Sequence, residues 1–190
     1  QYAAATTATV CDEVYRTLMK MRWQPSLKII PHYESDPLYI NALVNSINKK
    51  INEISWKPDL IIASYHGIPK KYFDKGDPYH CYCHKTTRLI SEKFSSIKIK
   101  TTFQSRFGPQ EWLQPYTDKT LENLPKEGVK NVLAICPGFA SDCVETLEEI
   151  QIQAKESFLN SGGENFDMVP CLNDNSDHII LLKSLIERNI

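Results

Sequence analysis

A chain of 190 residues with 22 Lys and Arg against 23 Asp and Glu, net charge −1, has no basic excess for holding a nucleic acid. Hydrophobic residues make up 42% and charged residues 24%, the proportions of a globular domain with one buried core. No apolar run approaches the roughly 20 residues that span a bilayer, and Gln1 to Val10 lacks the basic and apolar regions of a signal peptide.

In chain order, Thr6 to Met21 has a helical pattern and the apolar run Leu27 to Pro31 reads as a first strand. A helix is predicted over Pro37 to Ile51, with Asp36 before Pro37 as its start signal. Strand Leu60 to Tyr65 leads into Gly67 to Pro78, whose Pro and Gly content reads as a long functional loop. Helix Cys83 to Phe94, strand Ile97 to Phe103, helix Thr117 to Leu124 and strand Asn131 to Cys136 follow. In Asp142 to Asn160 the residues Val144, Leu147, Ile150, Ala154 and Phe158 recur at helical spacing. Ser141 or Asp142 would cap that helix, and Gly162-Gly163 would close it. Strand Phe166 to Cys171 and helix Asn175 to Arg188 complete the chain.

Several strand candidates are rich in Val, Ile and Leu without strict alternation, which suits strands covered on both faces. The fold class is therefore α/β, a Rossmann-like doubly wound parallel sheet flanked by helices, with residues 1–190 as one domain. The chain opens in a helix-like pattern without an initiator Met, which points to a fragment of a longer protein. Sheets of this kind bind ligands beyond the carboxyl ends of their strands. That rule singles out His66-Gly67, Gln104 to Trp112 and Pro137 to Glu145.

His66 ends a buried strand where a glycine lets a ligand approach. Its imidazole can take up a proton near neutral pH or ligate a divalent metal, and a structural hydrogen bond is the competing reading. Glu145 and Glu149 are four residues apart on one expected helical face. They read either as a solvated acidic face or as a carboxylate row that guides a cation or carries protons. Gln104 to Pro115 combines Arg, aromatic residues, Gly and Pro, as a wall for a large flat ligand would, although turn chemistry explains the Gly and Pro equally well. His80, Cys81, Cys83 and His84 have a metal-site composition without the Cys-x-x-Cys spacing, and a reduced thiol pair is the alternative. The six cysteines are scattered, and reduced thiols in a cytosolic enzyme are expected. No Gly-rich phosphate fingerprint follows any strand.

Taken together, these segments resemble the ferrochelatase family. The likeness rests on Gln1-Tyr2, Ser64-Tyr65-His66-Gly67-Ile68-Pro69, Gly76-Asp77-Pro78-Tyr79 and Ser105 to Trp112. It continues through Pro115-Tyr116-Thr117-Asp118, Gly128-Val129-Lys130 and Pro137 to Glu149 to Leu172-Asn173-Asp174. The resemblance implies two Rossmann-like halves with a porphyrin between them, this chain being the carboxy-terminal half, and insertion of Fe(II) into protoporphyrin IX. It implies catalytic roles for His66 and Glu145, metal contacts at His66, Glu145 and Glu149, and porphyrin contacts at Trp112, Phe139 and Ser64, with Asp142 a further pocket position. Iron enters as substrate, and no organic cofactor is expected. Some members hold a [2Fe-2S] cluster partly through a cysteine-rich tail; none follows Ile190, so that cluster is not expected. Cys143 stands where some members have His, and Gln153 where many have an acid. The implied partners are porphyrin, ferrous iron and the amino-terminal half, in the cytoplasm with peripheral membrane contact open. The motifs leave open coproporphyrin or cobalt chelation, and a non-catalytic binding role for the isolated half.

Overall fold

The computed structural model describes residues 1–190. Four parallel strands, β1 (Leu60–His66), β2 (Lys98–Gln104), β3 (Asn131–Ile135) and β4 (Asn165–Met168), form one sheet in the order β2-β1-β3-β4. A parallel pair needs a crossover, and each is helical here. β1 passes to β2 through α3 (Lys70–Asp74) and α4 (Tyr79–Ser91), and β2 to β3 through α5 (Thr117–Asn123) and a short 3-10 turn, Leu124–Glu127. β3 passes to β4 through α6 (Val144–Leu147), a π-helical stretch, Glu149–Ala154, and α7 (Lys155–Asn160). α1 (Thr9–Leu18), continuous with a π-helical turn at Ala4–Ala8, and α2 (Pro37–Glu53) precede the sheet, and α8 (Ser176–Glu187) ends the chain.

The helices divide between the two faces, which confirms the doubly wound class. On one face α2, α4 and α8 pack Leu43, Ile47, Ile90 and Leu181 against Ile61, Tyr65 and Leu133. On the other, Leu121, Ile150 and Phe158 cover Ile62, Val132 and Ala134. β1 is central, so its side chains are buried on both sides, and for that reason its sequence shows no alternation. β2 is an edge strand, and its exposed Lys98 and Lys100 oppose pairing with a further chain. Helix starts follow the expected chemistry: Asp36 accepts from the Leu38 amide at 2.9 Å, and Asn175 from the His178 amide at 2.8 Å.

Leu27 to Pro31 is not a strand. None of the four strands pairs with it, and Leu27, Ile29 and Ile30 are exposed. An apolar run supplies side chains for a strand, but the backbone also needs a neighbour to bond. The predicted helix at Cys83 begins a turn earlier, at Tyr79, and the loop before it contains α3. No helix is long and apolar enough to cross a membrane.

Candidate active site

The carboxyl ends of β1, β2 and β3 bring three loops to one edge of the sheet. His66, half-buried, is the last residue of β1, and its Nδ1 lies 2.6 Å from the Gly67 carbonyl. A carbonyl oxygen only accepts, so Nδ1 is the donor and Nε2 is the ring nitrogen free of this bond. Tyr79 Oη donates to the His66 carbonyl at 2.8 Å and fixes the backbone there. Gly67 donates its amide to the Gln104 carbonyl at 2.7 Å. A Cβ at position 67 would stand 2.9 Å from that oxygen and 3.2 Å from the Trp112 ring, so close backbone approach demands glycine.

After β3 the chain turns through Pro137-Gly138 into α6. Cys143, not Ser141 or Asp142, is the N-cap, in a reciprocal capping box with Thr146. Asp142 serves the loop instead: it accepts from Asn173 Nδ2 at 2.7 Å and the Cys171 amide at 3.1 Å, while its own amide donates to Asn173 Oδ1 at 2.8 Å. Glu145 lies in the first turn of α6. Its own backbone N–H and the Cys143 thiol hold its carboxyl below the ordinary range, and the His66 imidazole acts in the same direction. An imidazole and an ionised carboxylate thus share this edge.

The expected long helix over Asp142 to Asn160 is broken by the π-helical stretch that opens at Glu149. Widened turns of this kind re-aim side chains, and they often occur at functional sites. Glu149 is captured by the end of β2: it accepts from the Ser105 amide at 2.6 Å, from the Ser105 hydroxyl, and from Gln104 Nε2 at 3.3 Å. It lines a polar cavity of about 350 Å³ with Gln104, Ser105, Asp118 and Gln153.

The expected metal set of His66, Glu145 and Glu149 does not form a cage, because Glu149 spends its oxygens on β2 and no three His, Cys, Asp or Glu side chains converge as metal ligands. Ser64, expected against porphyrin, is wholly buried: its hydroxyl donates to Gln104 Oε1 at 2.7 Å and lies 2.8 Å from Thr117 Oγ1. It faces inward because strand alternation puts it on the same side of the sheet as Gln104. Trp112 is also buried, with Nε1 donating to the Phe107 carbonyl at 3.0 Å, so it braces the loop and exposes little of its surface. Phe139 is half-buried, its ring centroid 6.4 Å from that of His66. Sequence reasoning passed over Gln104, which joins the three loops, and Phe107, 75% exposed beside Trp112 at 5.0 Å. Both stand in the stretch already marked as the strand's ligand edge, which was the available signal.

A family model described as Ferrochelatase matches residues 1–190. The chain is 57% identical over 192 residues to a ferrochelatase of Rhizobium meliloti (strain 1021), covering all of this chain and 57% of that protein. It is 56% identical to the ferrochelatase of Allorhizobium ampelinum and 50% identical to that of Agrobacterium fabrum, covering all of this chain and 56% of each. The chain therefore spans little more than half the length of these relatives. Among solved structures, CbiX, described as the terminal enzyme for biosynthesis of siroheme in denitrifying bacteria, matches with a TM-score of 0.63 and 12% identity over all of this chain and 72% of that one. At that identity the likeness concerns the fold.

Proposed function

This chain belongs to the ferrochelatase family, and from that premise we propose that the protein it forms part of inserts ferrous iron into protoporphyrin IX. The observation that carries the reading is the placement of His66 and Glu145 on one sheet edge, with Nδ1 of His66 committed to the Gly67 carbonyl and Glu145 ionised. Metal cannot enter a planar porphyrin while two pyrrole N–H protons remain. A ring bent by binding energy turns its nitrogen lone pairs towards the metal, and a neutral imidazole accepts a released proton. In this reading His66 is that acceptor, and Glu145 passes protons outward or escorts the cation. Glu149, held by Gln104 and Ser105, keeps the start of the π-helical stretch against the edge of the sheet. Phe107, Phe139 and the small exposed part of Trp112 supply apolar surface for a flat macrocycle.

The other part of the longer protein completes the cleft in this reading. A cytoplasmic location with peripheral access to membrane-dissolved porphyrin belongs to the same proposal. The test is anaerobic ferrous insertion by the full-length protein, followed through the porphyrin-to-haem absorbance change, with and without His66→Ala. Metallation that falls at least about 100-fold in the variant supports the assignment. A variant that metallates at the parent rate removes His66 from the mechanism. No metallation of protoporphyrin or coproporphyrin, with iron or cobalt, sinks the proposal.

A further inference from the structure

The segment His80-Cys81-Tyr82-Cys83-His84 takes no part in the edge just described. On α4 its four candidate ligands fan out: Cys83 is buried in the core and Cys81 is exposed. His80 and His84, four residues apart, share one helical row, and their ring centroids are 4.4 Å apart. We propose that these two imidazoles form a chelate for a borderline divalent transition-metal ion, separate from the His66–Glu145 edge.

Three observations support it. The first is geometric. A cation held at ~2.1 Å by one nitrogen of each of two imidazoles sets the ring centroids roughly 4.6 Å apart at a right-angled N–metal–N angle and roughly 5.3 Å apart at a tetrahedral one, so the observed 4.4 Å needs an opening of about 1 Å or less. The second is hydrogen bonding. The other three histidines commit Nδ1 to Glu34, to the Gly67 carbonyl and to the Asn173 carbonyl, whereas the rings of His80 and His84 bond to no protein group. The third is their surroundings. The His80 ring stacks on Phe103 at 5.6 Å with an interplanar angle of 20° and meets Phe73 at 4.9 Å, which restricts its rotamers.

Phe103 and Gln104 are neighbours on β2 and point to opposite faces of the sheet, so the chelate and the Glu149 cluster lie on opposite sides of one strand. With no third His, Cys, Asp or Glu joining the pair, water completes the coordination and the ion remains exchangeable. Nitrogen ligands favour zinc, nickel, copper or ferrous iron over magnesium or calcium.

The test is zinc binding at neutral pH by the full-length protein, in competition with a chromophoric chelator. The parent and His66→Ala proteins are expected to bind the same extra equivalent, and His80→Gln/His84→Gln to lose it. Because His80 packs against Phe103, the single variant His84→Gln, altered at an exposed ring, serves as the deciding comparison once circular dichroism shows it folded. Loss of one equivalent in folded His84→Gln supports the chelate, and an unchanged stoichiometry overturns it. The readout is metal stoichiometry rather than porphyrin metallation, so it is independent of the proposed function.

Discussion

Gln104 Nε2 donates to the backbone carbonyl of Glu145 at 2.6 Å, which stitches the end of β2 to the first turn of the helix after β3. The same amide holds Ser64 through Oε1, so one buried side chain connects three strand ends.

Replacing Gln104 by Leu keeps the bulk and removes both sets of bonds. The Glu145 carbonyl and the Ser64 hydroxyl each lose a partner, and a loss of about 1–3 kcal/mol is expected in urea unfolding of the full-length protein. Turnover should fall while the KM for porphyrin changes little, because the helix that carries Glu145 loses its tether. Unchanged turnover in a destabilised variant would leave Gln104 a purely structural residue.

Gly67→Ala tests the close approach beside His66. The added methyl meets the Gln104 carbonyl, a backbone atom fixed in the sheet, so the His66–Gly67 turn must move. Overpacking of this kind costs about 1–3 kcal/mol, and a displaced His66 should lower turnover with it. Full stability and turnover together would show that the strand end yields at no cost.

Phe107 presents its ring to solvent next to Trp112. If that ring lies under the macrocycle, Phe107→Ser weakens porphyrin binding by about 1–2 kcal/mol, or roughly tenfold, without altering stability. Fluorescence titration of porphyrin against the full-length variant measures this, and an unchanged affinity places the macrocycle elsewhere.

Glu34 is one of the carboxylates whose lowered pKa makes the fold acid-sensitive, with Asp118 and Asp142. Burial raises its carboxyl pKa, but hydrogen bonds from Lys85 at 2.9 Å and from His32 outweigh that and hold it below its ordinary value of 4.5. A depressed folded pKa stabilises fully above the unfolded value, and that stabilisation is lost as pH falls through the folded one. Urea midpoints should therefore drop as pH is lowered below about 4.5. Glu34→Gln should flatten that part of the profile and lower stability at neutral pH by about 1–2 kcal/mol, since Lys85 remains partly solvated. A profile of the same slope in the variant would assign the acid loss to other carboxylates.

Much of this architecture was legible beforehand because it rests on local chemistry. The apolar runs of β1 and β3 announce strands covered on both faces, and Asp36-Pro37 and Asn175 mark helix starts by bonds that reach only two or three residues. His66 and Glu145 were singled out by the rule that places ligands beyond the ends of parallel strands, and the fold sets both at that edge. The same local reading failed at Leu27 to Pro31, where strand-forming side chains have no backbone partner.

Composition and periodicity thus determined which residues are apolar, how they recur, and which loops gather at the edge of the sheet. What they did not determine depends on pairings between distant positions. Ser64 is sealed by Gln104, 40 residues away, and Glu149 is drawn to Ser105, 44 residues away, where a π-helical turn re-aims it from the row it was expected to share with Glu145. A carboxylate bonds to whatever donors the fold brings within reach, and only the packing of the helix after β3 against the end of β2 selects those donors.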